Sequence, residues 1–547
     1  MKKWWFCLPV AILLTVTSCN EKDQILININ EPLVDLPRML RVIQQDTIIR
    51  IKPEIRQTFA IDESNLTFAW RHSNTMGNVA NRPIFSTGRY VDWRISSSDI
   101  YFDHFFWLEI TDQLTGLVYP YYTRINVLRP FLNVWAVLHS DNGPAKLGGI
   151  EYIADLDPIL RLDMFDYFGH PPLTGKPVAL GAINYDRSSL HGAYASPVFN
   201  SFFLITTNPN ESGVYAPARR FRPYIPDIFV PQMLQNFTPG FFDVSKITYI
   251  YRSNSDGGSL INDGRLFQIR NGLKWYEANI QADLGEIYIT HALRAGAITV
   301  LFDEKGGRFL FFDNRTHSTA HVGMFSNSEN QAEIRPMHRP ANNFPLYGIT
   351  HNVLHIGVGN QPNRTPGAPF GQVRSFAIAN GENNRTFIYQ FPTTQQIVAN
   401  TANPSIEMVR DIGTPNGLDT NSRFASSVAY NNIVFFSAEN RIYRLDFSTE
   451  VATLIYTHPT GGEIVAMRMA KQEPLLPDRQ TGLDYYIEAY GHPIERSLGV
   501  AVNNGASGDL VVLHLTAAGL VEHTAVFSGF GTITDIVFLC DRVLPAP

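Results

Sequence analysis

Residues 426–456 read SSVAYNNIVFFSAENRIYRLDFSTEVATLIY, and no other stretch limits the fold so sharply. Three runs rich in β-branched and aromatic residues, at 428–430, 433–436 and 442–447, are separated only by Asn431-Asn432 and by residues 437–441, and a fourth run follows at 452–456. Links this short join only antiparallel neighbours, because a parallel crossover needs a dozen or more residues. The stretch therefore predicts a four-stranded meander. One such sheet is marginal alone, so the rest of the chain is expected to repeat it.

Beyond residue 129 a strand, a turn carrying Gly or Asn and a second strand recur. The anchors are Gly149, Gly213, Gly264, Gly307, Gly371, Asn440 and Gly508, each preceded by an apolar run: 134–138, 202–206, 247–251, 298–302, 353–358, 433–436 and 498–502. Small meanders that cannot bury both faces pack face to face around an axis, so residues 129–547 are expected to form a β-propeller of about seven blades. A pair of β-sandwiches is the competing arrangement. The apolar run at 532–543 follows the last unit without a partner of its own, and ring closure would pair it with residues near 133–138. Longer inserts at 157–180, 216–239, 359–370 and 470–483 are rich in Pro, Arg and aromatics, and long loops on a rigid scaffold are where binding resides.

Composition agrees with an all-β chain of more than one domain. Across 547 residues there are 36 Phe, 23 Tyr, 39 Gly and 34 Pro. The net charge is −6, and once Lys2 and Lys3 leave with a leader, 42 basic residues face 50 acidic ones, so no basic surface favours nucleic acid. Three cysteines supply no disulfide framework, and Cys540 sits in an apolar run as a small buried hydrophobe.

The chain begins like a secretory leader, with Lys2-Lys3, an apolar stretch at 4–16 and small residues at Thr17-Ser18, too short to span a membrane. Val16-Thr17-Ser18-Cys19 resembles the lipobox of bacterial lipoproteins, which implies cleavage after residue 18 and acylation of Cys19. Several acyl chains, at about 0.8 kcal/mol per buried methylene, make such an anchor practically permanent. Residues 19–25 then act as a tether. Their acids, Glu21 and Asp23, are similar to the post-cysteine signal that sends Bacteroidetes lipoproteins to the outer face of the outer membrane.

Between 26 and 128, strand signals at 47–51, 66–71, 90–95, 105–111 and 121–127 alternate with polar turns, predicting a β-sandwich with Trp70 as its buried inter-sheet aromatic. Asp112 and Gly116 supply a hairpin turn. These features resemble PKD-like and immunoglobulin-like modules. Together with the lipobox and the opening strand 131–143, FLNVWAVLHSDNG, they give a chain that resembles the PKD-like surface lipoproteins of Bacteroidetes, whose corresponding strand is of the type G-W-x-V-L-S, with Asn133 where Gly is commoner. The resemblance implies an accessory lipoprotein beside a SusC/SusD-like TonB-dependent importer, capturing a nutrient ligand, and it supplies no catalytic residue.

No G-x-S-x-G elbow, H-E-x-x-H, phosphate-cradling glycine loop or Cys-x-x-Cys pair occurs. Asp155, Asp157, Asp163 and Asp166 cluster without the glycine and final Glu of a calcium loop and are read as solvated loop acids. His291, His317, His321, His338, His351 and His355 crowd into 65 residues, but a four-residue offset on a strand separates side chains along the sheet, which speaks against a metal, haem or iron-chelate site. The expected function is non-enzymatic capture of a peptide, glycan or chelate, without metal or cofactor. The alternative is a surface glycan- or peptide-degrading enzyme using carboxylates in a central channel, drawn from Asp303, Asp313, Asp446 and Asp509.

Overall fold

In the computed structural model the chain divides into two compact units, Met1–Leu128 with Ala546–Pro547, and Arg129–Pro545. The structure describes residues 32–36, 38–43, 48–57, 63–74, 81–95 and 103–128 of the first, and 133–152, 157–185, 199–215, 223–225, 229, 234–235, 242–252, 258–270, 274–295, 298–313, 333–337, 348–360, 373–391, 408–427, 429–430, 432–470, 488–489, 492–493 and 496–540 of the second. Among them no helix is long and apolar enough to cross a membrane.

The first unit is a β-sandwich. One sheet has the order Met39–Ile43, Val118–Leu128, Asp103–Asp112, Leu66–Ser73, Ile84–Ser86, and two strand pairs, Pro32–Asp35 with Glu54–Gln57 and Ile48–Ile51 with Val91–Arg94, complete it. Alternation along Leu66–Ser73 and Asp103–Asp112 turns Trp70, Phe106, Leu108 and Ile110 inward, where they meet Ile51, Val91 and Trp93. Trp70 is fully buried, as its place in the sequence predicts, and its indole N–H donates to Gly88 O at 3.0 Å. Asp112 builds the expected turn. Its carboxylate accepts from Leu114 N at 2.9 Å and Thr115 Oγ1 at 3.0 Å, while Gly116, at φ +69°, returns its N–H to Asp112 O at 2.8 Å.

Among the described residues the second unit holds seven sheets of four or five strands. Five are built from one stretch of chain each: Pro177–Tyr185 to Pro223–Ile225 (blade 2), Asn352–Asn360 to Met408–Asp411 (blade 5), Phe424–Ala425 to Val451–Thr457 (blade 6), Glu463–Met469 to Val521–Phe530 (blade 7), and Asn133–Ser140 to Ile159–Arg161 (blade 1), the last completed by Thr532–Cys540. Blades 3 and 4, Ile247–Arg252 to Lys274–Glu277 and Ile289–Ala295 to Glu333–Pro336, gain a fifth strand where Leu234–Gln235 and Asn279–Ile280 run parallel to the outermost one. No sheet curls into a barrel. The inner strands instead touch one another in sequence from blade 1 to blade 5 and from blade 6 through blade 7 back to blade 1, and blades 5 and 6 are joined by Val358 N donating to Ser426 Oγ at 3.0 Å. This is an all-β chain, a sandwich followed by a seven-bladed propeller.

Closure follows the expected pairing: Thr532–Cys540 lies antiparallel to Asn133–Ser140, with Val137 opposite Ile536 and Asn133 opposite Cys540. The seam is dry. Trp135, Val137, Ile536 and Phe538 pack with Ala501, Leu510 and Val512 of blade 7. Gly499 lies under Trp135, and a Cβ there would come within 2.6 Å of the indole.

Several finer expectations need correction. The meander keeps its order, but its first strand is Phe424–Ala425 instead of 428–430. Ser427 explains the difference: its hydroxyl accepts from Ala429 N at 3.1 Å, a local turn that competes with a ladder. Tyr430 is buried, with its hydroxyl donating to Thr516 O at 3.2 Å. The repeat anchor proves to be the hairpin between the second and third strands, marked by positive φ at Asn142, Asp263, Gly307, Asn383, Glu439 and Gly505. Gly149 and Gly508 lie inside the strands after those turns, Gly213 begins one, and Gly371 falls outside the described residues.

Trimming Ile536 to Ala should therefore lower stability by about 2–5 kcal/mol, whereas Val526→Ala, on the exposed outer strand of blade 7, should stay within about 0.5 kcal/mol. Urea unfolding followed by circular dichroism checks both.

Candidate functional site

Inner strands of a propeller have an edge that faces the axis, and here they share an irregularity. Six of the seven skip one residue against their neighbour: Val178, Thr248, Thr290, Leu354, Val465 and Thr534 are each the extra residue. A bulge adds a residue to one strand only, bends it and re-aims the side chain that follows. The residues that follow are Ala179, Tyr249, His291, His355, Ala466 and Asp535. Before each bulge stands an apolar residue, and Ile247, Ile289, Val353, Ile464 and Ile533 in that place are buried between blades.

The polar members of this layer converge. Arg468, two residues past Ala466, lies 3.5 Å from Asp535 through Nη2 and Oδ1. Burial pulls the guanidinium down, but Asp535, Tyr249 and the hydrogen bond outweigh it and hold the group above its ordinary value. Tyr249 belongs to blade 3, Arg468 to blade 7 and Asp535 to blade 1, so side chains from separate blades meet near the axis. Asp535 is also fixed by backbone: Leu180 N donates to Oδ2 at 3.1 Å and Ile536 N to Oδ1 at 2.9 Å.

His355 completes the layer from blade 5. Its ring stacks on Phe424 at 5.3 Å, and its Nε2 lies 3.5 Å from Ser426 Oγ. Burial, then His291 and Arg468, push it down to about 3. His291, from blade 4, is lowered to about 4 by burial, although a hydrogen bond to the Leu354 backbone opposes the shift; its Nδ1 is 3.0 Å from Thr290 Oγ1. Both rings are neutral at pH 7. Ser426 is buried and its Oγ accepts from Val358 N, which leaves its proton for His355, but a ring pushed down to about 3 is too weak a base to take it, so the His355–Ser426 approach is no nucleophile-base pair.

The other sequence candidates are scattered. His351 serves blade 5, with Nδ1 2.6 Å from Tyr389 Oη and its ring stacked on Phe387 at 3.8 Å. His317, His321, His338, Asp155 and Cys19 fall outside the described residues, as do most of the long inserts. Asp163 caps the short helix Met164–Tyr167, and Asp166 is exposed beside it. Among the described residues no three His, Cys, Asp or Glu side chains are grouped to hold a metal. Asp303, Asp313, Asp446 and Asp509 lie on second or third strands, away from the inner edge. Asp303 is buried, accepting from Tyr288 N and Arg308 Nε at 2.8 Å each; Asp446 accepts from Arg444 Nη2 at 2.9 Å and Ser448 N at 3.0 Å; Asp509 faces His458 at 3.7 Å. Sequence reading thus singled out two axial residues, His291 and His355, only to argue that they hold no metal, and missed Tyr249, Arg468 and Asp535. A signal existed in the recurring Ile-Thr-Tyr-Ile, Ile-Thr-His-Ala, Val-Leu-His-Ile, Ile-Val-Ala-Met and Ile-Thr-Asp-Ile at 247, 289, 353, 464 and 533.

Residues 23–177 match the PKD-like family. The match takes in the first unit and the start of the propeller. No curated protein matches the chain. Similar solved structures include a quinonprotein alcohol dehydrogenase-like protein from Bacteroides thetaiotaomicron, 12% identical, covering 93% of this chain and 99% of that one at a TM-score of 0.41. Another is PorZ, a surface component of the type-IX secretion system of Porphyromonas gingivalis, 10% identical, covering 72% of this chain and 46% of that one at 0.31. The extracellular domain of a one-component system from Bacteroides thetaiotaomicron is 9% identical, covering 82% and 77% at 0.26. Likenesses this distant bear on no functional point.

The neutral histidines set a pH dependence. Unfolded, both would titrate near 6.5; folded, they protonate at about 4 and 3, so between pH 6.5 and 4 the unfolded chain binds more protons and stability falls as pH falls. The slope is at most about 1.4 kcal/mol per pH unit per histidine. Urea midpoints from pH 7 to 4.5 should show this loss, and a His291→Gln/His355→Gln variant should show a shallower one.

Proposed function

We propose that this protein is a surface lipoprotein, anchored in the outer membrane through Cys19 and facing the cell exterior, that captures a nutrient ligand for a SusC/SusD-like TonB-dependent importer. The observation that carries the capture reading is the axial layer, where five blades bring Arg468, Asp535, Tyr249, His291 and His355 together, without a nucleophile or an acid–base pair among the described residues. A rigid ring that fixes polar groups at its axis is a binding platform. The lipobox and the acids after Cys19 support the location, and a tether beside the transporter would raise the ligand's effective concentration at its mouth.

The alternative is a glycan- or peptide-degrading propeller enzyme. Glycoside hydrolysis requires two carboxyl groups facing one bond, whereas Asp535 is the one carboxylate in this layer among the described residues, and two backbone N–H groups already donate to it.

Two measurements test the proposal. Cys19→Ser should move the protein from the detergent to the aqueous phase in Triton X-114 partitioning; an unchanged distribution would remove the lipid anchor. Tagged protein pulled from solubilised outer membrane and analysed by mass spectrometry should bring down a SusC/SusD-like pair. Recovery of neither a transporter nor a small ligand would overturn the capture reading.

A further inference from the structure

The bulge layer is lopsided. Blades 7, 1 and 2 are neighbours and contribute Ala466, Asp535 and Ala179, a charge between two of the smallest side chains. Across the axis, blades 3, 4 and 5 contribute Tyr249, His291 and His355, three rings. Arg468 reaches in beside Asp535. The carboxylate is held by Leu180 N and Ile536 N whether or not Arg468 is there. Arg468 is held far less firmly: among the described residues its hydrogen bond to Asp535, 3.5 Å long, is its one hydrogen bond, and its side chain keeps 28% of its surface accessible. A guanidinium has five N–H donors in a planar fork suited to a carboxylate, and among the described residues Asp535 engages one of its nitrogens.

The two charges lie side by side, with Ala466 and Ala179 at the matching bulge positions of the neighbouring blades. A ligand carrying only a carboxylate would set it against Asp535, and one carrying only an ammonium would set it against Arg468. The charges are matched by a ligand with both signs a few ångströms apart. An α-amino acid carries its ammonium and carboxylate on one carbon, whereas each added peptide unit separates them by roughly 3.3–3.6 Å more in an extended chain. The neutral rings of His291 and His355, with Tyr249, then form the wall that a side chain would meet.

We propose that the propeller axis binds the zwitterionic head of a free α-amino acid, with its carboxylate on the Arg468 fork and its ammonium on Asp535. This names the ligand class of the capture reading and rests on it for its setting.

The test uses the full chain carrying Cys19→Ser, purified and titrated calorimetrically at pH 7 with L-leucine, L-phenylalanine and L-glutamine. At least one should bind. For that amino acid, the carboxamide and the N-acetyl derivative, each lacking one charge, should bind at least about tenfold more weakly, the loss expected for a charged hydrogen bond. Arg468→Gln and Asp535→Asn should show the same loss with unchanged circular dichroism, and Arg468→Lys, which keeps the charge without the fork, should retain part of the affinity and covers the case in which Arg468→Gln fails to fold. Binding of none of the three amino acids overturns the proposal, as does an N-acetyl derivative that binds as tightly as its parent, or wild-type affinity in folded Asp535→Asn. Amino-acid binding without a transporter in the pull-down would sink the import setting and leave the site standing; a transporter without amino-acid binding would do the reverse.

Discussion

The second unit depends on one strand pairing, Asn133–Ser140 with Thr532–Cys540. A four-stranded meander has two faces to bury, and each blade covers one face of the next, so an open row would leave a wet apolar face at either end. Joining strands some 400 residues apart removes both faces at once. The entropy of closing so long a loop rises only slowly with length, while the seam it forms buries Trp135, Val137, Ile536 and Phe538 against blade 7. Close approach at the seam is why Gly499 must lack a side chain beneath Trp135.

Much of this architecture was legible in the residues. Short polar links forced antiparallel neighbours, alternation in LTFAWRHS placed Trp70 inside, and an unpartnered apolar run at 532–543 pointed to closure. The misplacements are local and physical. Ser427 turns the backbone where β-branched composition suggested a strand, and Gly149 and Gly508 sit past their turns because Asn142 and Gly505 supply the positive φ instead. Turn residues are chosen by backbone conformation, and several residue types reach it.

The axial layer was much less legible, and the reason lies in its construction. Periodicity reveals a buried face because many residues repeat it; an inner edge contributes one or two residues per blade, and their partners lie on other blades. The bulge adds to the difficulty by breaking the alternation just where the side chain of the layer stands. Only alignment of the six inner strands on their bulges brings Tyr249, His291, His355 and Asp535 into register. The carboxylates that composition suggested, such as Asp303 and Asp446, are consumed by hairpin ends and arginines within their own blades.

Asp535 stands on the last described strand, and Tyr249 on the third blade's first. The axial layer is therefore a property of the closed ring and of no fragment of it: a chain without its last strand holds the rings and Arg468 but lacks the carboxylate of the layer. Assembly of the layer and closure of the ring become the same event, so a half-made propeller carries the strands of six blades without the layer that the seventh strand pairing completes.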